Sequence, residues 1–388
     1  ARVLDLQGNP VSDILALASS GRDERHPSTA ASGSSSWTVV WTTGTAVEAC
    51  TVDATGQAGG IRTLTGRSVR PVDRPDIGAS VRDGGFLVVW EELDTTGLSA
   101  IKGLRLGPSA DSAVGEAFTV ARSSDHDLRG PSVSQSGDGL FVAWEKPVEA
   151  GRSDIEGRLV PAGARSEAEL GDILSLAADG ARNTLPSVAR FPETDAFAVV
   201  WQRTDGLRDS DIAFANVSGQ GLLGTGLLAD SETLLESRPF ASSAGAAGRV
   251  LVTYQTSPAG DPARRDIVAR TIGWGDALPS PEMAVDQAKQ GGINPSSVRA
   301  AGAGGRGLVV WDAEEGQGRS LFAKEWLSAE LDGLPSDEPA DDAIIAFADV
   351  TIEGQVTFGG IAMPNVLISG PPISVRTDAS GFYTAFVP

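Results

Sequence analysis

Carboxylates and arginines recur at matching places along this chain of 388 residues. Some acids directly follow apolar runs that end in an aromatic residue, and others precede the next strand-like stretch. The arginines lie one or two residues before prolines that open new segments. The ten positions are Arg25, Arg74, Glu91, Arg129, Glu145, Asp154, Asp211, Arg238, Asp266 and Asp312.

Two kinds of chemistry fit this set of side chains. A pair of carboxylates about 5 to 10 Å apart can cleave a glycosidic bond, one acting as acid and the other as nucleophile or base. Alternatively, each acid can pair with an arginine and fix the loops through charge-assisted hydrogen bonds. Since a catalytic residue should break a repeat rather than follow it, the sequence favours the second interpretation.

A calcium site is a weaker alternative. Asp205, Asp209 and Asp211 place three carboxylates within seven residues, and calcium prefers such oxygen ligands. Their order does not match the ligand positions of an EF-hand loop. The sequence therefore predicts no bound cofactor, with calcium kept as the alternative.

Motifs of other enzyme classes are absent. The sequence contains no Gly-x-Ser-x-Gly elbow, zinc-ligand spacing, phosphate-binding loop or dinucleotide fingerprint. Cys50 is the single cysteine, and His26 and His126 are the two histidines. Tyr254 and Tyr383, the two tyrosines, lie in patterns that look structural, which argues against a lyase.

Charge and hydropathy exclude further classes of function. The formal net charge is −20, whereas nucleic acids and anionic membrane surfaces both favour basic proteins. No apolar run is long enough to span a bilayer. We therefore expect no nucleic-acid partner and no membrane insertion, and we expect other protein chains, or a carbohydrate, as partners.

An internal repeat settles the expected fold. Six apolar runs end in Trp41, Trp90, Trp144, Trp201, Tyr254 and Trp311, and prolines precede them at Pro27, Pro75, Pro131, Pro186, Pro239 and Pro295. The prolines are 48 to 56 residues apart, which is room for four short strands. Each run is apolar on both faces, as in a strand that is buried on both sides.

Four-stranded units that are repeated radially form a propeller, because stacking buries both apolar faces of each unit. We therefore predict an all-β protein with a six-bladed β-propeller at residues 1–328, and a seven-bladed one as the alternative. Residues 11–17 match the fourth-strand pattern. We expect them to complete the last blade, which would remove an exposed sheet edge.

The remaining residues have a different composition. Residues 329–348 are rich in acids and proline and predict an extended linker. From 349 to 388 the pattern alternates, with Val350–Phe358, Pro364–Ser369 and the run Thr377-Asp-Ala-Ser-Gly-Phe-Tyr383. This pattern resembles the carboxypeptidase-regulatory-like, prealbumin-like β-sandwich, which in that family is a non-catalytic spacer or surface module.

The segment is short for such a sandwich. The missing strands would come either from the rest of a longer chain or from a neighbouring chain. Strand exchange of that kind would allow self-association through the C-terminal module.

The repeat itself, a proline, an apolar run ending in tryptophan and a later Asp-Ile-x-x-Arg, resembles propeller repeats of large secreted and surface proteins of bacteria. The resemblance implies an extracellular or cell-surface location. It says little about function, because such propellers host many roles. From these observations we expect a non-enzymatic scaffold or adhesive subunit of a surface or filamentous assembly, with a glycoside hydrolase that uses the carboxylates as the alternative.

Overall fold

The computed structural model consists of β-strands joined by turns. A 3₁₀ turn at Glu167–Glu169 is the one helical element among the described residues, so none of these residues forms a helix that could cross a membrane. The chain divides into two compact units, Ala1–Pro335 and Ser336–Pro388. The structure describes residues 1, 3, 11–18, 23–32, 36–65, 72–80, 84–93, 97–107, 113–134, 139–149, 151–192, 194–206, 209–243, 248–261, 264–274, 279–286, 294–303, 306–315, 318–327, 350–355, 357–358, 361–362, 367–370, 373–376 and 382–387.

The larger unit contains six successive antiparallel repeats. Repeat one has strands β1 (Arg25–Ser32), β2 (Ser36–Thr42), β3 (Val47–Asp53) and β4 (Arg62–Thr63). Repeat two has β5 (Val72–Ala79), β6 (Phe86–Leu93), β7 (Ser99–Leu106) and β8 (Phe118–Ala121). Repeat three has β9 (Arg129–Val133), β10 (Gly139–Glu149), β11 (Arg152–Pro161) and β12 (Ile173–Ala177).

The later repeats follow the same order. Repeat four has β13 (Arg182–Arg190), β14 (Ala196–Asp205), β15 (Asp209–Ser218) and β16 (Gly221–Ala229). Repeat five has β17 (Leu234–Ser243), β18 (Arg249–Pro258), β19 (Asp266–Gly273) and β20 (Met283–Asp286), and repeat six has β21 (Asn294–Ala303), β22 (Arg306–Glu315) and β23 (Gly318–Leu327). Repeats three and four are joined into one sheet by a parallel bridge between Ser153 and Arg182. The prediction of an all-β, propeller-like fold is confirmed.

Apolar residues are buried between the repeats rather than within one of them. Each of the five apolar clusters found among the described residues combines side chains of two successive repeats. For example, Trp144 of repeat three packs with Leu87 and Val89 of repeat two. The aromatic at the end of each second strand is buried in all six repeats, and a large buried aromatic contributes more burial than any other side chain type.

The polar atoms of these aromatics are hydrogen-bonded, as buried N–H and O–H groups require. Five of them donate to a carboxylate or amide oxygen. The pairs are Trp41 with Glu48 at 3.2 Å, Trp90 with Glu92 at 3.0 Å, Trp144 with Glu156 at 3.3 Å, Trp201 with Asn183 at 2.9 Å and Tyr254 with Glu282 at 2.9 Å.

Hydrogen bonds also link the first strands of successive repeats. The residue after the opening proline accepts a backbone N–H from the next repeat. Asp76 accepts from Val133 at 2.8 Å, Ser132 accepts from Val188 at 3.2 Å, and Ser187 accepts from Ala241 at 3.0 Å. In repeats two, three and four, one polar side chain therefore links the first strand to the first strand of the next repeat.

Each first strand contains a β-bulge at its proline. The residue before the proline has a positive φ at His26 (50°), Arg74 (45°), Leu185 (55°), Arg238 (54°) and Gly130 (55°). A non-glycine residue in this left-handed region costs roughly 1–3 kcal/mol and persists only where its surroundings impose it. A bulge redirects side chains and ends regular pairing.

Residues 11–18 are described without a strand assignment. Their backbone bonds to the first residues of the chain, with Leu15 N donating to Ala1 O at 2.7 Å and Val11 N to Val3 O at 2.8 Å. Closure of the last blade by residues 11–17 therefore stays a prediction, as do the domain boundaries. The predicted linker at 329–348 lies outside the described residues.

The smaller unit contains three antiparallel pairs: β24 (Val350–Gln355) with β29 (Phe382–Val387), β25 (Thr357–Phe358) with β26 (Ile361–Ala362), and β27 (Leu367–Gly370) with β28 (Ile373–Arg376). Residues 377–381 of the Thr-Asp-x-x-Gly motif lie outside the described residues. The predicted sandwich module stays a prediction.

Replacing Ser187 by alanine should destabilise the larger unit. The change leaves the buried N–H of Ala241 without its acceptor, and an unsatisfied buried donor costs about 1–3 kcal/mol. Urea unfolding of S187A should show this loss, whereas S231A, at an exposed turn, should match the wild type. Equal stability of both variants would contradict the role assigned to the inter-repeat bonds.

Candidate functional site

The strand register places one end of every repeat at a common upper face. Glu145, near the end of the second strand of repeat three, lies opposite Arg129 at the start of the first strand. Lys146 lies opposite Asp154 at the start of the third strand. The upper face thus collects the starts of the first and third strands and the ends of the second strands, as the sequence predicts.

Glu91 lies at the upper face of repeat two and reaches repeat three. Its carboxylate accepts the backbone N–H of Gly130, and Arg74 Nε is 3.9 Å from the same oxygen. The side chain is only 14% exposed. Burial raises the pKa of Glu91, while the Gly130 N–H and Arg74 oppose that rise.

The bond from Gly130 to Glu91 has a counterpart elsewhere in the repeat. Gln202, which follows Trp201, accepts the N–H of Arg238 through Oε1 at 3.3 Å. Gly130 and Arg238 both precede a proline and have positive φ. The bulge therefore turns this N–H towards the preceding repeat, where the residue after the buried aromatic receives it.

Glu145 occupies the same position in repeat three. Among the described residues it makes no ion pair within 4 Å, in contrast to Glu91. Burial raises the pKa of Glu145, and the positive charges of Arg129, Arg182 and Arg74 partly offset the rise. Glu145 is thus a carboxyl group that retains its proton to a higher pH than an ordinary glutamate.

These groups form one cluster. Arg74 and Arg129 act electrostatically on both Glu91 and Glu145. A guanidinium nitrogen of Arg74 comes within 3.4 Å of the place where a Cβ of Gly130 would stand, so the absent side chain lets Arg74 extend towards repeat three. We call Arg74, Glu91, Arg129, Glu145 and Arg182 the upper-face cluster.

Arg129 also serves its own loop. Its guanidinium is 3.2 Å from Asp127, and Asp127 accepts the N–H of Ser99 in repeat two at 2.9 Å. Asp127 therefore restrains the position of Arg129 at the boundary of repeats two and three.

Two of the predicted arginines lie apart from this cluster. Arg25 pairs with the neighbouring Asp23 and is exposed. Arg238, in repeat five, is exposed and contributes its backbone N–H to Gln202.

The predicted calcium candidates surround an arginine. Arg203 places Nη2 3.1 Å from Asp205, Nη1 3.4 Å from Asp211 and Nε 2.6 Å from Asp179. The Asp209 side chain lies outside the described residues. Within the described part of the chain no group of three acidic, histidine or cysteine side chains has the arrangement of a metal site.

The remaining predicted acids are also dispersed. Asp154 is half-buried, and burial raises its pKa while Lys146 opposes the rise. Asp266 is 3.9 Å from Arg264. Asp312 acts on Arg299 of the first strand of repeat six, whose pKa burial lowers and Asp76 and Asp312 raise. These residues do not join the upper-face cluster.

Two features of the site could not be predicted from the sequence. Arg182 lies four residues before Pro186, outside the window in which the other arginines recur, so no spacing signal identified it. The left-handed positions were missed because the sequence reveals the proline but not the φ of the residue before it. His26, for example, adopts this conformation and pairs with Asp73 at 2.8 Å.

Comparisons with known proteins support the fold. No protein-family model and no curated protein matches the chain. A solved structure of a Hadza microbial sialidase has a TM-score of 0.51 at 12% identity, with 75% of this chain and 63% of that chain covered. The Fusarium graminearum α-L-arabinofuranosidase bound to arabinobiose has a TM-score of 0.49 at 12% identity, with 79% and 94% covered.

These neighbours correct the functional expectation. The two solved structures named above are an α-L-arabinofuranosidase and a sialidase by their titles, and the prediction of a non-enzymatic scaffold or filament subunit is contradicted. At such low identity the likeness itself establishes the propeller-like fold and nothing finer.

The raised pKa of Glu145 makes stability depend on pH. The contribution of the protonated form is complete below the pKa of the unfolded chain and is lost as the pH rises through the higher pKa of the folded state. At pH 7 we therefore expect Glu145→Gln to melt about 1–2 °C above the wild type. The difference should disappear towards pH 3.

Glu169 provides the control for this measurement. Its pKa is lowered, first by the N–H of Arg165 and then by Ser166, so Glu169→Gln should not gain stability at pH 7. Differential scanning calorimetry across this pH range distinguishes the two. An E145Q variant that melts below the wild type at pH 7 would contradict the electrostatic account of the site.

Proposed function

We propose that the chain is a carbohydrate-active enzyme of the glycoside hydrolase type, with its site at the upper-face cluster. The observation that carries the proposal is the pair of largely enclosed carboxyl groups, Glu91 and Glu145, at equivalent positions of successive repeats, facing shared arginines. Most glycoside hydrolases cleave the glycosidic bond with two carboxyl groups in different protonation states.

The surroundings suggest a role for each group. Burial raises the pKa of Glu145, and among the described residues it makes no ion pair within 4 Å, which suits the general acid that protonates the leaving oxygen. Burial raises the pKa of Glu91 as well, but the N–H of Gly130 and Arg74 support its ionised form, which suits the nucleophile or base. Arg129 and Arg182 supply hydrogen-bond donors for the hydroxyl or carboxylate groups of a sugar.

We further propose that the six repeats are the six blades of a closed propeller. Arg299 of repeat six and Asp76 of repeat two act on each other electrostatically, which supports a curvature that brings these first strands near one another. We also propose an extracellular or cell-surface location, where polymeric glycans occur, with the carboxypeptidase-regulatory-like module following the catalytic unit.

Glu145→Gln and Glu91→Gln should each lower hydrolysis at least 10³-fold, since each removes a group that the reaction requires. The purified chain is screened against aryl glycosides and polysaccharides that include arabinosides and sialosides, with released sugars measured chromatographically. Glutamine already occupies the equivalent position at Gln202 and accepts the same kind of N–H bond, so both variants should fold.

Gln202→Ala is the matched control for these variants. It removes an inter-repeat bond of the same kind without removing a carboxylate, so it should lose some stability and keep its activity. Full activity of Glu145→Gln, or cleavage of no substrate by the wild type, would refute the proposed function.

A further inference from the structure

A cleft of about 400 Å³ opens on the lower face, at the end of the repeats opposite the upper-face cluster. Its size falls within the range of pockets that bind small ligands. It lies where turns of repeats three, four and five meet. Its lining includes Leu159, Thr194, Phe197, Ser218, Gln220 and Trp274.

Trp274 is exposed at the cleft, unlike the tryptophans at the ends of the second strands. Its side chain is 39% exposed, whereas those five are buried. The indole packs edge-on against the buried ring of Phe191, with centroids 5.4 Å apart and an interplanar angle of 60°. This contact supports one side of the ring at the cleft.

The polar side chains of the cleft are supported by rigid turns. Thr194 Oγ1 bonds with Phe191 O at 3.1 Å and accepts the N–H of Ala196 at 3.2 Å. Arg190 Nε donates to Thr194 O at 2.7 Å. Ser218 Oγ accepts the N–H of Gln220 at 3.1 Å, so the hydroxyls of Thr194 and Ser218 are held by bonds within their own turns.

The described lining contains one acid, Asp195, and no basic residue. A phosphate or carboxylate ligand would need a cation or a helix N-terminus, so this chemistry favours an uncharged ligand. The negative face of an aromatic ring attracts weakly positive C–H groups, and one face of a sugar ring presents such groups. Hydroxyl and amide side chains match the sugar's own hydroxyls.

We propose that the lower-face cleft is a second carbohydrate site, which binds a neutral sugar by stacking on Trp274. The site would hold a glycan on the face opposite the upper-face cluster and would not cleave it. The proposal does not depend on hydrolysis at the upper face, because it rests on the residues of the cleft alone.

The test uses the full chain carrying Glu145→Gln, so that no probe is consumed. Short neutral oligosaccharides of pentoses and of hexoses are titrated while tryptophan fluorescence is followed. We expect a saturable change in this parent protein, absent in Trp274→Phe, with binding weakened at least tenfold in Trp274→Ala by calorimetry.

Gly219→Leu provides a variant that leaves Trp274 in place. A Cβ added at Gly219 meets no atom within 4 Å and Gly219 lines the cleft, so we expect the fold to be retained while the leucine fills part of the cleft. Binding should again fall at least tenfold. Gly224→Leu, at an equally open glycine outside the cleft, should bind like the parent.

Two outcomes would overturn the inference. One is that no neutral oligosaccharide changes the fluorescence, and the other is that Trp274→Ala and Gly219→Leu bind as the parent does. Neither result would bear on hydrolysis by the wild type. Conversely, a lack of hydrolytic activity in the wild type would not affect the binding test.

Discussion

The architecture depends on one constraint: each repeat has two apolar faces and can bury them only against its neighbours. The five clusters between successive repeats show how this is satisfied, with an aromatic from the end of each later second strand packed on the preceding repeat. Because such large side chains must be buried completely, their polar atoms also need partners. Carboxylates such as Glu48 and Glu156 supply them within the same repeat.

The same constraint positions the candidate site. In repeats two and four, the residue after the buried aromatic of the second strand faces the next repeat. At Gln202 that residue accepts an N–H from the next bulge. At Glu91 a carboxylate performs the same task, and among the described residues the carboxylate of Glu145 makes no ion pair within 4 Å. The position that joins successive repeats at Glu91 and Gln202 thus carries a titratable group in repeats two and three. Left-handed residues such as Arg74 carry the strain of this arrangement.

Much of the fold could be predicted from the sequence, because the need to bury a strand that is apolar on both faces recurs six times along the chain. The prolines and the aromatic runs define the first and second strands because they occur six times. A single copy, such as Pro27 and Trp41, would not have been enough. The upper-face positions of Glu91, Glu145, Arg74 and Arg129 followed from strand order. Arg182 did not, since only the folded structure brings repeat four beside repeat three. Nor did the pairing of Arg203 with Asp179, Asp205 and Asp211, since the sequence presented Asp205 and Asp211, together with Asp209, as calcium candidates. The functional expectation rested on the argument that residues which follow a repeat are structural. That argument carried too much weight, because two carboxylates leave no linear motif that could have opposed it.

The most direct test of this account is the ionisation of Glu145 itself. Carbon-13 labelling of the glutamate carboxyl groups and an NMR titration would identify its signal as the one missing from Glu145→Gln. The account predicts a pKa clearly above the ordinary value of about 4.3, because burial outweighs the arginines. A pKa at or below that value would show that the arginines hold Glu145 ionised, and Glu145 could not then be the general acid of this site.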